Sequence, residues 1–380
     1  MTISIVFLFL SLFYLTFTLW VRHGVARLKN APLKAIGELP TVSVYVPARN
    51  EEANLHRTLT SLENQTYPKE KLTVVMINDR STDSTEEVMK EFASRNANFR
   101  LINIENLPAG IAPKKHALMN AIARTDSEII VTTDADCIHS PAWLMNMISH
   151  FNDGVALVTA LTVFDPDDYT VFHELHTLDF LSQAVVSAGA MGQGLPLMCS
   201  APNLAYKRKV FNEVGGYGDS SSCVSGDDNL FLQNLVKNGN YKTAFALGKD
   251  TIVKSLPPKS VKGVWHQRLR WGTQGAFYPL KIKLAGAVVF LYYLSIVLSP
   301  LFYLLGVTLS VLLALGMVKV AADFFVIKYG FKVLGIKFKT KIFILLSLIH
   351  PLLIIATLLS SLTIPFDWKG SNLRPKVKEA

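Results

Sequence analysis

The sequence predicts an α/β domain held between membrane-spanning helices, about four of them, and three observations predict it. Residues 3–21 (ISIVFLFLSLFYLTFTLWV), 284–318 and 342–362 contain no Asp, Glu, Lys or Arg, and a bilayer core is crossed by about 20 such residues. Between the first two blocks, β-branched runs alternate with amphipathic helical patterns, as in a parallel sheet covered on both faces. The net charge of +9 gathers beside the apolar blocks rather than in one patch. That distribution points to a membrane as partner and away from nucleic acid.

The first apolar run has nothing positive before it and no small-residue cleavage site after it, so it reads as an uncleaved anchor, residues 1–21. Arg22, Arg27, Lys29 and Lys34 follow it, which puts residues 22–283 on the cytoplasmic side. VSVYV (42–46) is the first strand. Leu55, Leu59 and Leu62 then share one face of a helix. LTVVMIND (72–79) is the second strand, and Ser84 with Glu87 forms a capping box for a helix that buries Val88 and Phe92. RLINIE (100–105) and EIIVTTD (128–134) are further strands around a helix at 114–123. A helix at 141–150 opens with Ser140 as cap and Pro141 at its first position. Near 260–275 lies a membrane-proximal amphipathic helix.

The block at 284–318, broken near Pro300 and Gly306, reads as two spans, and 342–362, with Pro351 inside, as the last. Lys319, Lys328, Lys332, Lys337, Lys339 and Lys341, against one Asp323, read as the connection before it. The tail (363–380) is basic through Lys369, Arg374, Lys376 and Lys378, and four spans would set it opposite the domain, against the basic-inside tendency. Cys137, Cys199 and Cys223 have no metal-like spacing and fit a reducing cytoplasm.

Ligands of such sheets bind outside the carboxyl ends of the strands. Three polar turns collect there: PARNE (47–51), NDRSTD (78–83) and DAD (134–136). Asp134 and Asp136 suit a hard divalent cation, Mg²⁺ or Mn²⁺, which takes one or two carboxylates and fills its shell with water and phosphate oxygens. No Walker loop and no G-x-G-x-x-G occurs, so a phosphate would rely on the metal and on Lys114, Lys115, Arg49 or Arg270. In SGDDNLFLQNL (225–235), Asp227 and Asp228 sit in a helix's first turn. There they are either dipole-favoured caps or, in one case, a general base. His173 and His176 lack a third ligand and read as helix-surface residues. WHQRLRW (265–271) sets rings and guanidinium groups at the doorway of the membrane.

These residues, in this order, resemble the membrane-bound family 2 glycosyltransferases, an inverting group that includes cellulose, chitin and hyaluronan synthases and ceramide glucosyltransferase. The match covers roughly residues 41–275. It implies a GT-A domain: a Rossmann-like mixed sheet with helices on both faces. VSVYVPARNEEANL resembles the nucleotide loop, implying donor contacts from Pro47, Ala48, Arg49 and Glu51. INDRSTDST implies Asp79 at the uridine or ribose, and KKHAL implies Lys114 near the diphosphate. TTDADC is similar to the D-x-D segment, with Asp136 as metal ligand and Asp134 nearer the nucleotide sugar. SAPNLAYKRKVFNEVGGYG implies Asn203 near the sugar. GDDNLFLQNLVKNGNYK aligns Asp228, with Asp227 beside it, as catalytic base, and QRLRW matches Q-x-x-R-W. Gln267 and Arg270 would then brace acceptor and diphosphate, and Trp271 would stack on the acceptor. The chain departs from the pattern at Met119, Ala201 and Pro202.

The resemblance implies transfer from a nucleotide-diphosphate sugar, UDP before GDP, in the cytoplasmic membrane of a bacterium. Only three apolar spans follow the catalytic part, few for a polymer channel unless the chain forms an oligomer. A lipid or short lipid-linked glycan is therefore the expected acceptor. A processive polysaccharide synthase is the alternative, with an inactive nucleotide-sugar-binding scaffold and a transporter as readings from other classes. A transporter would show more intramembrane charge than Lys319 and Asp323.

Overall fold

The computed structural model describes residues 2–29, 37–152, 154–166, 170–239, 241–368 and 371–373. Lys34 and the tail's Lys369, Arg374, Lys376 and Lys378 lie outside the described residues. The first element, α1 (Thr2–Lys29), is one helix of 28 residues. At 1.5 Å per residue it is about 42 Å long, more than a bilayer core requires. Its last turns leave the apolar bundle and carry Val21 and Val25 into the core of the α/β domain.

The domain runs β1 (Val42–Ala48), α2 (Glu52–Glu63), β2 (Leu72–Asp79), α3 (Thr85–Arg95), β3 (Phe99–Ile104) and α4 (Pro113–Ile122). It continues with β4 (Ile129–Thr132), α5 (Trp143–Ile148), β5 (Val155–Ala160), β6 (Thr162–Phe164) and α6 (Val171–Gly192). Then come β7 (Leu204–Lys207), α7 (Arg208–Glu213), α8 (Asn229–Asn238), β8 (Lys242–Ala246), β9 (Val253–Ser255) and α9 (Val261–Gly272). Seven strands form one sheet in the order β3-β2-β1-β4-β7-β5-β8, while β6 and β9 pair separately. Central strands are buried on both faces, which is why β1 and β2 read as near-continuous apolar runs. Leu55, Leu59 and Leu62 of α2, Phe92 of α3 and Trp143 of α5 cover one face. Leu118 of α4, Leu178 of α6 and Phe231 of α8 cover the other.

The sheet is mixed rather than parallel throughout. β7 runs antiparallel to both β4 and β5, with Thr132 opposite Leu204. Its leading residues therefore lie at the carboxyl edge of β4, where the polar turns are. Two local expectations also change. The Ser84–Glu87 capping box is not formed: Asp83 accepts from the Thr85 N–H (3.1 Å) and hydroxyl (2.6 Å) instead, and Met89 joins Phe92 in the core while Val88 is half-buried. The helix expected at 141–150 starts only at Trp143, because Ser140 donates its hydroxyl to Asp250 and Pro141 lies in the preceding turn.

After α9 come α10 (Leu280–Val297), the short α11 (Ser299–Leu304), α12 (Leu309–Leu334), α13 (Thr340–Ser361), and a hairpin of β10 (Phe366–Trp368) and β11 (Ser371–Leu373). Among the described residues, α1, α10, α12 and α13 are long and apolar enough to cross a membrane, four in all. Lys319, Asp323, Lys328 and Lys332 lie within α12 rather than in a connection. Lys319 and Asp323, one turn apart, pair at 3.0 Å. Asp323 also accepts from the Tyr14 hydroxyl of α1, so the charges are buried and partnered inside the bundle. Where α1 crosses α6, a Cβ on Gly24 would collide with the Gly189 backbone, so glycines at 24, 189 and 192 permit the close approach.

Candidate active site

The turns after β1 and β2 are built as one unit. Asn50 and Arg80 both stand at φ 54°, a region that non-glycine residues seldom adopt. Asn50 pays through its side chain, which accepts from the Thr82 N–H at 2.9 Å, while its own N–H donates to Ser81. The Glu51 N–H donates to Thr85 at 2.8 Å. Pro47 and Ala48 end β1 beneath this clasp, with Arg49 in the turn. Asp79, at the end of β2, is buried and paired with Arg80 at 2.8 Å.

The turn after β4 carries the acidic pair. Asp134 binds Lys114, at the start of α4, at 2.7 Å; the same ammonium binds Asp227 at 2.8 Å. Burial alone would depress Lys114, but the two carboxylates outweigh it and hold it protonated. Asp136 accepts from the Ser255 hydroxyl at 3.3 Å. Burial, then Asp134 and Glu51, push its carboxyl up to about 6. Lys115 does not face the site: its buried ammonium donates to the Ser220 and Ser225 carbonyls and anchors the segment that leads to Asp227.

Asp227 and Asp228 are neighbours with opposite character. Burial works to raise Asp227, but the charge and hydrogen bond of Lys114 prevail and hold it below the usual carboxylate range. Asp228 caps α8 by accepting from the Asn229 N–H at 2.6 Å, and accepts from the Ala201 N–H at 3.0 Å. Burial, then Asp227, push it up to about 6. It is thus both cap and a carboxylate on the wall of a cavity of about 340 Å³.

Helix α9 supplies the opposite wall. Ser260 caps it by accepting from the Gly263 N–H, and Gln267, Arg270 and Trp271, spaced i, i+3, i+4, face the cavity together. The cavity lining combines Lys114, Asp134, Asp227, Asp228 and Arg270 with the apolar Phe164, Phe180, Ala184, Met198 and Trp271. Phe164 and Phe180 stack at 4.4 Å, and Phe180 and Trp271 at 6.2 Å. Asn203 is not in the cavity. Its fully buried amide donates to the Leu161 and Thr251 carbonyls and accepts from the Trp143 indole, and its neighbours Ala201 and Pro202 line the cavity instead. His176 is buried against Phe164 rather than on a helix surface, and burial lowers it to about 4.

Residues 43–215, a little under half of the chain, match the model described as glycosyl transferase family 2. The matched segment reaches from β1 past α7 and includes the clasped turns and the acidic pair after β4. The chain is 27% identical over 269 residues to the probable glycosyltransferase YdaM of Bacillus subtilis (strain 168), covering 68% of this chain and 61% of that one. It is 22% identical over 258 residues to a beta-monoglucosyldiacylglycerol synthase of Nostoc sp. (strain PCC 7120), covering 66% and 52%. The chain thus spans between half and two thirds of those relatives' lengths. Its fold is shared with the mannosyltransferase PcManGT of Pyrobaculum calidifontis, solved with GDP-Man and Mn²⁺, at a TM-score of 0.60 and 18% identity over 92% of this chain and 98% of that one.

Proposed function

We propose that the protein transfers a sugar from a nucleotide-diphosphate sugar to a lipid or short lipid-linked glycan, with inversion, at the cytoplasmic face of a membrane. The observation that carries the reading is one cavity that Asp228, Lys114 and Arg270 line together with the rings of Phe164, Phe180 and Trp271, the last of these on a helix whose next residue, Gly272, abuts Ser361 of α13. The name of the Nostoc relative, a diacylglycerol glucosyl transfer enzyme, agrees with an acceptor of that kind.

Asp79 and the clasped turns hold the nucleotide, and Lys114 and Arg270 hold the diphosphate. Asp228 takes the proton of the acceptor hydroxyl. The acceptor oxygen bonds to the anomeric carbon as the bond from that carbon to the diphosphate oxygen breaks, and the nucleoside diphosphate leaves with the electron pair. Asp136, with Asp134 beside it, would hold a divalent cation. The fit is electrostatic: Asp134, Asp136 and Glu51 crowd negative charge that burial makes costly, which a cation relieves. Such an ion would supply charge neutralisation for the leaving diphosphate; the Pyrobaculum structure contains Mn²⁺ together with GDP-Man.

The raised Asp136 gives a test by stability. Its folded pKa lies above its unfolded value, so its ionisation weakens the fold at pH 7.5 and ceases to do so as pH falls below about 6. Asp136→Asn should therefore be more stable than wild type at pH 7.5 by about 1–2 kcal/mol, with the gap closing in acid. Mn²⁺ should raise the melting temperature of wild type and not of the variant. Equal Mn²⁺ responses would remove Asp136 from the metal site.

The function itself is tested by nucleoside diphosphate release from a panel of UDP- and GDP-sugars with Mn²⁺, with and without membrane lipid extract. Release that requires the extract supports the lipid acceptor. The rate should fall about tenfold per pH unit below about 6, as Asp228 becomes protonated. Donor binding without release under any condition would favour the scaffold reading.

A further inference from the structure

The wall that carries Gln267, Arg270 and Trp271 is fixed from behind. Asp179 of α6 and Arg268 of α9 form an ion pair in which both side chains are buried, 4% and 6% exposed. The same carboxylate accepts from Gln183, one turn along α6, at 3.4 Å, and Gln183 lines the cavity. It also meets His350 Nε2 of α13 at 3.4 Å. At the end of α9, a Cβ on Gly272 would collide with Ser361 of α13, so the helix is also pressed against the membrane bundle there.

Burial works to raise Asp179, but the His350 hydrogen bond and the Arg268 charge prevail and hold it down at about 2. Buried pairs of this kind add little stability over apolar residues of the same volume, because two charges must be desolvated. What the pair does supply is orientation: a planar guanidinium on a fixed carboxylate admits few rotations of the helix that bears it. Arg268 directly follows Gln267 and lies two residues before Arg270, so a turn of α9 about its axis would move all three cavity residues together.

We propose that Asp179 is a positioning residue, which through Arg268 sets the rotation of α9 and so places Gln267 and Trp271 against the acceptor and Arg270 against the diphosphate. The inference rests on the transfer reaction proposed above. It differs from a packing role in what it affects: acceptor use depends on all three displaced residues, whereas nucleotide binding, held also by Asp79 and Lys114, loses only the share that Arg270 supplies.

The test replaces both partners, Asp179→Leu with Arg268→Met, in the full chain in detergent, so that no lone charge is left buried. The melting temperature should stay close to wild type, and the affinity for UDP or GDP should fall by less than the acceptor kcat/KM does. The acceptor KM should rise and kcat fall, together about tenfold or more in kcat/KM, as expected for displaced site residues. A paired variant with wild-type kcat/KM for the acceptor would overturn the proposal. If the paired variant fails to fold, Arg268→Lys decides, since it keeps the charge and loses the planar guanidinium that meets Asp179. A drop of several fold in acceptor kcat/KM that exceeds any loss of nucleotide affinity supports the proposal; no such drop overturns it. Absence of transfer by the wild-type chain from any donor would instead defeat the transfer reading itself.

Discussion

Asp228→Asn turns over at least about 100-fold more slowly than wild type while nucleotide affinity is kept. The amide cannot take a proton at neutral pH, and the lost base is the one carboxylate of the Asp227–Asp228 pair that is free of Lys114's hydrogen bond. Asp227 cannot substitute, because its affinity for protons is already lowered by the ammonium at 2.8 Å. The substitution is mild for the fold. The asparagine oxygen can accept from either Ala201 or Asn229, one backbone hydrogen bond of about 1 kcal/mol is lost, and a carboxylate held near pH 6 beside a second carboxylate no longer has to ionise. Initial rates under saturating donor, together with calorimetric binding of UDP and GDP, check this. Retained turnover would remove Asp228 from the reaction.

The second large effect concerns stability. Lys114→Met strips the cation from between Asp134 and Asp227 and leaves two part-buried carboxylates without their shared partner. Removing the cation of a part-buried pair should destabilise by about 1–3 kcal/mol. The sign of the pH dependence follows from Asp227. In wild type its pKa is depressed, so its contribution is present at neutral pH and is lost as pH falls through its folded value. Without Lys114 that pKa rises above its unfolded value, and the variant gains stability relative to wild type as the pH is lowered. Thermal unfolding at pH 7.5 and pH 5 should show a large deficit that shrinks in acid. An equal deficit at both values would mean that Lys114 acts through packing of its stem.

The parts of this molecule that were legible in the sequence are those governed by local rules. The strand end at Asp79 was visible, and those at Ala48 and Thr132 to within two residues, because central strands are apolar on both faces and stop where polar turns begin. What escaped depends on tertiary placement. Phe164 and Phe180 carried no signal in the sequence, since nothing local distinguishes a ring that lines a cavity from one that fills a core. The resemblance of SAPNLAYKRKVFNEVGGYG set Asn203 near the sugar, yet β7 runs backwards and buries its amide on Trp143. Lys319 and Asp323 looked like a loop because charge is costly in a span; their mutual pairing, with Tyr14 closing the network, removes that cost. Adjacent identical residues were the hardest case. Asp227 and Asp228 differ only in which one Lys114 reaches, and no window of sequence contains that fact.

The central claim is transfer of sugar onto a lipid with Asp228 as base, and the most direct measurement follows radiolabelled sugar from the nucleotide donor into the organic phase of a lipid extraction. Label should enter that phase with wild type in the presence of Mn²⁺ and lipid extract, and should be at least about 100-fold slower with Asp228→Asn. Label that stays in the aqueous phase while nucleoside diphosphate is released, or that reaches lipid equally fast with the variant, would contradict it.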